Sequence, residues 1–249
     1  KHSRMTLETI KQHNINLKVL IGMDLLGEAS NPNCSWGGDY TVEEVAKNIQ
    51  YNQHQLYQAI ELANEYKDIV LGVSAGNEAV PEWNENLVSP ARVLYFVKEL
   101  KKHTSVPVTY CDNNYYWRNE LKEVADTVDF ISIHIYPVWL GANVTDGIVT
   151  SIREYNEINA LYPNKQVLIT ETGWPTNSNG GQIPKENANE INQLFFNKEL
   201  DRYTQENEIT CFFFEAFDEL WKGSDNPEEP EKHWGYYYDD RTPKRIKQK

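Results

Sequence analysis

Two glutamates in this 249-residue chain stand at the ends of short apolar runs that are typical of buried strands. Glu78 follows Asn77 at the end of one run, and Glu171 ends another. Burying an ionised carboxylate is costly without a partner, so such a position indicates a salt bridge, a helix cap or a chemical use. As a pair, the two glutamates predict general acid/base chemistry, in which one donates a proton and the other attacks or activates water.

The tryptophans indicate what this chemistry acts on. The chain has seven, each placed after a strand-like run and before the next helical stretch: Trp36, Trp83, Trp117, Trp139, Trp174, Trp221 and Trp234. Flat aromatic faces stack on pyranose rings, whose hydroxyls hydrogen-bond to carboxylates and amides. Each tryptophan alone is equally well explained as packing for its own loop. Together they favour a carbohydrate cleft, and therefore glycoside hydrolysis by the two glutamates.

Composition excludes several other classes of protein. With 24 Lys and Arg against 37 Asp and Glu, the formal net charge is −13, which repels nucleic acid and anionic membranes. No run approaches the roughly 18 apolar residues of a membrane helix. Three cysteines lie far apart and six histidines form no zinc-binding pattern, so we expect no metal and no cofactor. We expect a monomer.

Six strand-like runs alternate with longer amphipathic stretches, which predicts βα units around a parallel sheet. Because the runs are almost continuously apolar, both faces of the sheet should be buried. The six runs are Lys18–Met23, Asp68–Ser74, Val106–Cys111, Asp129–Tyr136, Gln166–Glu171 and Ile209–Glu215.

Helix-start signals appear between these runs. Thr41-Val42-Glu43-Glu44 is a capping box, and Ser89-Pro90 combines an N-cap with a proline at the first helical position. Residues 5–13, 148–161 and 184–203 also have helical patterns. No linker divides the chain, so we expect one catalytic domain over residues 1–249.

The loop after the first run distinguishes two α/β architectures. A doubly wound sheet usually carries a glycine-rich phosphate loop there, but Asp24–Glu28 is acidic and contains one glycine. This favours a (β/α)8 TIM barrel, whose active site forms at the carboxyl ends of the strands. Glu78 and Glu171 occupy such strand ends.

Three motifs resemble glycoside hydrolase family 17, the retaining β-1,3-glucanases and β-1,3-glucanosyltransferases. They are Val73–Glu78, Ile169–Pro175 and Phe214–Glu219, the last followed by Lys222 and Glu231–Gly235. The resemblance implies that Glu78 is the general acid/base and that Glu171 is the nucleophile. It places Asn77 at the sugar 2-hydroxyl. For a retaining pair, the carboxyl groups should lie about 5 Å apart.

The same resemblance implies further substrate-binding positions. Glu219, Lys222 and Glu231 match a charged, hydrogen-bonded group near the catalytic acid, although a surface ion-pair network would use the same residue types. Tyr136, Trp174 and Phe217 match sugar contacts, with packing beside the cleft as the alternative. Members of the family are usually secreted, periplasmic or attached to the cell wall, which is the location that the resemblance implies.

One departure from the family concerns its first two strands. The Lys18–Met23 run resembles the third strand of the family barrel, which places Glu78 on the fourth strand and Glu171 on the seventh. We therefore predict six of the eight barrel strands in this chain, with about 60 residues of βα structure lacking. Lys18–Met23 and Ile209–Glu215 would then have unpaired edges.

The leading functional prediction is an endo-acting hydrolase of laminarin-like β-1,3-glucan. A transglycosylase would use the same two glutamates, with a sugar hydroxyl in place of water as acceptor. A carbohydrate-binding protein with a disabled site is the alternative from another class, suggested by the lacking strands.

Overall fold

A computed structural model describes residues 2–247 of the chain. Within this range it has six strands: β1 (Val19–Gly22), β2 (Val70–Asn77), β3 (Val108–Asn113), β4 (Phe130–Ile135), β5 (Gln166–Thr172) and β6 (Cys211–Phe213). They belong to one sheet in chain order, and the pairs β1–β2, β2–β3 and β5–β6 are parallel. The prediction of six strands in a parallel α/β sheet is confirmed.

The described residues contain seven α-helices, of which the first precedes β1 and the others lie between strands: α1 (His2–Gln12), α2 (Val42–Glu65), α3 (Pro90–His103), α4 (Asn114–Arg118), α5 (Lys122–Thr127), α6 (Val144–Leu161) and α7 (Glu190–Glu206). The short helices α4 and α5 were not predicted, because five or six residues carry too little periodicity to be recognised. Trp117 lies inside α4, so the expectation that it belongs to a loop is wrong.

Residue contacts divide the chain into two compact units. The first contains the residues up to 132 together with 162–166, and the second contains residues 133–161 and those from 167 onwards. The single catalytic domain over residues 1–249 stays a prediction, and residues 1, 248 and 249 lie outside the described part of the chain.

Both helix starts predicted in the first unit are confirmed. Thr41 Oγ1 accepts a hydrogen bond from the Glu44 backbone N–H at 3.2 Å, and the Glu44 carboxylate accepts one from the Thr41 backbone N–H at 2.8 Å. Ser89 caps α3 in the same way, accepting from the Arg92 backbone N–H at 3.3 Å. These local bonds satisfy amide groups that a helix leaves without partners, which is why sequence alone located them.

In the second unit, α7 begins later than predicted. The helical pattern suggested a start at residue 184, but the helix begins at Glu190 because the Asn189 side chain accepts from the backbone N–H groups of Ile191 and Asn192. The N-cap therefore determines the start, and residues 185–187 form a turn before it.

A buried ion pair between Lys244 and Asp218 joins the C-terminal residues of the second unit to the rest of that unit. Lys244 is fully buried, and its Nζ lies 2.6 Å from Asp218 Oδ1 and 2.7 Å from Thr176 Oγ1. Burial lowers the pKa of Lys244, whereas its hydrogen bond to Asp218 acts in the opposite direction. Asp218 also accepts from the Gly235 backbone N–H at 2.9 Å.

We expect Lys244→Met to destabilise the protein by about 3 to 5 kcal/mol, because it leaves the Asp218 carboxylate buried without its cation. The free energy of unfolding in urea measures the effect. Lys198→Met is the control, since Lys198 is exposed on α7. A loss below about 1 kcal/mol for Lys244→Met would show that the pair contributes little.

Candidate active site

An irregular end of β2 presents the first predicted catalytic residue. Ser74 pairs with Thr109 and Asn77 with Cys111, so β2 uses three steps where β3 uses two. Gly76 permits this bulge with a φ of 141°, and a Cβ there would lie 2.7 Å from Leu25 Cδ1. The strand consequently leaves Asn77 exposed.

Glu78 itself is half-buried in a left-handed backbone conformation with φ 45°. For a residue with a Cβ this conformation costs about 1 to 2 kcal/mol. Its backbone N–H donates to the Cys111 carbonyl at 2.9 Å, and the Asn84 side-chain amide donates to the Glu78 carbonyl. Strain fixed by its surroundings in this way is typical of functional sites.

Glu171 lies near the end of β5 in the second unit, with 27% of its side chain exposed. The Tyr136 hydroxyl donates to Glu171 Oε2 at 3.0 Å. His134, fully buried on β4, places its Nδ1 3.7 Å from the same oxygen. A hydrogen bond donated to a carboxylate stabilises the ionised form, which is the form that a nucleophile needs.

His134 was not among the residues predicted for the site. Its signal in the sequence is its place two residues before Tyr136, which puts both side chains on the same side of an extended run. A polar residue inside an apolar run can serve the structure or the chemistry of a protein. The sequence pattern alone does not show which of these two roles His134 has.

Tyr136, which binds Glu171, belongs to a group of packed aromatic rings. The Tyr136 ring lies 5.2 Å from that of Trp234 and 6.3 Å from that of Phe214, both edge to face. Trp139 lies 6.0 Å from Trp234. Phe217 is 44% exposed, and its ring lies 5.6 Å from that of Tyr237, so this side chain is partly open to solvent.

The expected sugar contact by Trp174 is corrected by its burial. Trp174 has no exposed surface, donates its indole N–H to the Asn187 carbonyl at 2.7 Å and packs 5.0 Å from Phe196. Trp117 and Trp234 are also in the core, at 0% and 1% exposure. Three of the seven tryptophans therefore pack the protein, which weakens the argument from their number.

Lys222 is the centre of a charged group that also belongs to the second unit. Its Nζ lies 2.6 Å from Glu219 Oε2, 3.5 Å from Glu215 Oε2 and 4.4 Å from the centre of the Phe214 ring. Burial lowers the pKa of Lys222. The hydrogen bond that Lys222 donates to Glu219, and the charges of Glu215, Glu219 and Glu231, raise that pKa by more, so the net shift is upward. The structure thus brings Lys222 and Glu219 together.

Glu215 is an addition to this predicted group. Burial raises its pKa to about 8, opposed by the charge of Lys222 and assisted by that of Glu219. Its Oε1 is buried and has no hydrogen-bond partner among the described residues. The sequence showed a carboxylate at a strand end here, but the degree of burial depends on tertiary packing.

We expect Glu215→Gln to raise stability more at pH 9 than at pH 5. A folded pKa of about 8, above the ordinary 4.5, means that the stability present at low pH is lost as pH rises through about 8. Glutamine stays neutral, so the difference in Tm from the parent should grow by about 4 °C or more across this range.

Glu206→Gln is the matched control for this measurement, because Glu206 is exposed at the end of α7. Its Tm difference from the parent should not change with pH. The same Tm difference at both pH values for Glu215→Gln would contradict the raised pKa of Glu215.

No group of three or more His, Cys, Asp or Glu side chains in residues 2–247 is arranged to hold a metal ion. No helix in the described part of the chain is long and apolar enough to cross a membrane.

The chain is similar to proteins of known family. The sequence model described as the BtgE/BtgC glycoside hydrolase domain matches residues 2–235. The putative glucan endo-1,3-beta-glucosidase btgC of Aspergillus niger is 30% identical over 203 residues, which are 73% of this chain. The chain spans 29% of that longer protein.

Two solved structures share the fold. An endo-laminarinase from Formosa Hel1_33_131 superposes with a TM-score of 0.75 at 24% identity, over 96% of this chain and 71% of the other. An active-site mutant of Rhizomucor miehei beta-1,3-glucanosyltransferase, in complex with laminaritriose, also has a TM-score of 0.75, at 19% identity over 98% and 80% of the two chains.

Proposed function

Because the chain belongs to the BtgE/BtgC glycoside hydrolase domain family, we propose that it cleaves laminarin-like β-1,3-glucan with retention of configuration. The observation that carries the proposal is the setting of Glu171, whose carboxylate accepts a hydrogen bond from the Tyr136 hydroxyl at 3.0 Å, and the Tyr136 ring packs in turn against Trp234 and Phe214. A carboxylate of this kind suits attack on a sugar ring that stacks on neighbouring aromatic faces.

In the proposed reaction, Glu171 attacks the anomeric carbon while Glu78 gives its proton to the departing glycosidic oxygen. The glycosidic bond breaks and a glycosyl ester forms on Glu171. Glu78, now ionised, then takes a proton from water, whose oxygen displaces Glu171 from the anomeric carbon. Each step conserves protons, and the second returns both glutamates to their starting forms.

Other residues receive supporting roles in this proposal. Asn77, exposed beside Glu78, would bind the sugar 2-hydroxyl, and Tyr136 would orient the nucleophile. Phe217 offers an exposed aromatic face, whereas Trp174 supports the site by packing. Glu219, Lys222 and Glu231 are proposed to set the local charge around the substrate.

Transglycosylation is the second candidate, and the exposure of Trp221 favours it. This residue is 76% exposed on the loop that carries Lys222, so it is accessible to a sugar acceptor. An acceptor held by stacking competes with water for the glycosyl-enzyme. A protein that binds glucan without cleaving it remains the alternative from another class.

Incubation with a short β-1,3-gluco-oligosaccharide tests all three possibilities. Shorter products that first appear as the β-anomer indicate retaining hydrolysis, whereas products longer than the substrate indicate transfer. Binding without new products, in a protein shown to be folded, would overturn the proposal of an enzyme. Inverted products would overturn the roles proposed for the two glutamates.

The finer features of the fold and location are also proposals. The six strands are proposed to belong to a (β/α)8 barrel, and comparison with a chain extended at its N-terminus, by thermal melting and glucan cleavage, tests this.

Because a glucan polymer does not cross membranes, we propose that the protein acts outside the cytoplasm, at a cell wall or in the medium. We also propose that it acts as a monomer.

A further inference from the structure

Tyr110 lies against the backbone that follows Glu78 in the first unit. The ring is fully buried on β3. Its hydroxyl oxygen accepts hydrogen bonds from the backbone N–H groups of Ala79, at 2.8 Å, and Val80, at 3.1 Å. The same hydroxyl donates to Asp112 Oδ2 at 2.6 Å. A tyrosine hydroxyl offers one proton and two acceptor lone pairs, so its bonding capacity is fully used here.

We propose that Tyr110 is a positioning residue that holds Glu78 in the geometry required of a general acid, an inference that rests on the proposed function of Glu78. The left-handed conformation of Glu78 is held on two sides. Its own N–H and carbonyl are bound by Cys111 and Asn84, and Tyr110 fixes the next two amide groups. Rotation of the Glu78 backbone would have to break bonds on both sides.

Asp112 determines the orientation of the Tyr110 hydroxyl group. Its side chain is fully buried and takes the only proton of the Tyr110 hydroxyl, which leaves both lone pairs facing the amide groups. Asp112 Oδ1 also accepts from the Asn113 backbone N–H at 2.7 Å, which fixes the carboxylate. The hydroxyl therefore cannot turn its proton toward the amides without losing its partner.

Tyr110 keeps its proton throughout the pH range of ordinary enzyme activity. Burial raises its pKa well above the usual value, and the charge of Asp112 raises it further. A group that does not titrate acts by orientation alone. The residue is not in contact with the reacting atoms in this proposal, and its effect is carried by Ala79 and Val80.

The experiment compares Tyr110→Phe with Tyr116→Phe as the matched control. Tyr116 is also a buried tyrosine of the first unit whose hydroxyl donates to a carboxylate, that of Glu82, at 2.6 Å. Each variant is assayed on a β-1,3-gluco-oligosaccharide and on a dinitrophenyl glycoside of the same oligosaccharide. Dinitrophenolate leaves without needing a proton, so only the first substrate requires a well-placed acid.

The readout is the ratio of kcat/KM for the two substrates, which does not depend on the fraction of protein that is folded. We expect Tyr110→Phe to lower the ratio by about tenfold to 100-fold, because a small displacement of a catalytic group costs much of its contribution. Tyr116→Phe should leave the ratio as in the parent. If Tyr110→Phe leaves the ratio unchanged, whether or not both kcat/KM values fall, the positioning role is wrong.

The variant Glu78→Ala distinguishes failure of the role proposed for Tyr110 from failure of the role proposed for Glu78. That variant should lower the ratio more than Tyr110→Phe does. If Glu78→Ala leaves the ratio unchanged, Glu78 is not the acid and the proposed function is wrong in its central assignment. If only Glu78→Ala lowers the ratio, the proposed function stands and the role of Tyr110 is wrong.

Discussion

Glu171→Gln should reduce cleavage of β-1,3-glucan by about 10⁴-fold or more while leaving oligosaccharide affinity within about threefold of the parent. The amide has the shape of the carboxylate, and its oxygen can still accept the Tyr136 hydroxyl, now 3.0 Å from Glu171 Oε2. It cannot form the covalent ester with the sugar. Initial rates on an oligosaccharide and calorimetric binding to the same ligand give the two quantities.

Glu206→Gln is the control for this loss, because Glu206 is exposed in the same unit and pairs only at the surface with Arg202, at 3.1 Å. Surface pairs of this kind contribute little to stability. Its turnover should equal that of the parent. Turnover of Glu171→Gln within about tenfold of the parent would show that another residue is the nucleophile.

The features that sequence located well are those determined by neighbours in the chain. The capping box of Thr41 and Glu44 lies within one turn of helix, and six apolar runs were sufficient to find six strands. The predicted start of α7 was wrong, because a helical pattern and an N-cap signal lie close together in the sequence there. The helical pattern from residue 184 onwards was interrupted by the N-cap at Asn189, whose side-chain bonds determine the actual start of α7.

The candidate site shows the limit of local patterns more clearly. Trp174 stands two residues after the end of β5, where a cleft residue is expected, but its indole contacts Asn187 and Phe196 in the interior. Sequence position cannot distinguish these two directions. Tyr110 stands 31 and 30 positions from the two amides it binds, a contact set by the pairing of β2 with β3. The raised pKa of Glu215 likewise depends on burial by residues that meet only in the folded protein.

The second large effect is expected for Glu78→Ala, which should lower kcat/KM on unactivated β-1,3-glucan by about 10² to 10⁴-fold, the usual contribution of general acid/base catalysis. The backbone that carries Glu78 is bound through Cys111, Asn84 and Tyr110, and none of these bonds uses the Glu78 side chain. Removing the carboxyl group should therefore keep these backbone bonds and remove the proton transfer.

Azide distinguishes loss of the acid/base from general damage to the site. With Glu78→Ala and a dinitrophenyl glycoside, the glycosyl-enzyme forms without an acid, and azide attacks it without needing a base. Added azide should therefore increase turnover and yield the β-glycosyl azide. Glu120→Gln, an exposed variant of the same unit, should respond to azide no more than the parent does. If azide does not accelerate Glu78→Ala, or if the azide product has the α-configuration, Glu78 is not the acid/base partner of Glu171 in a retaining mechanism.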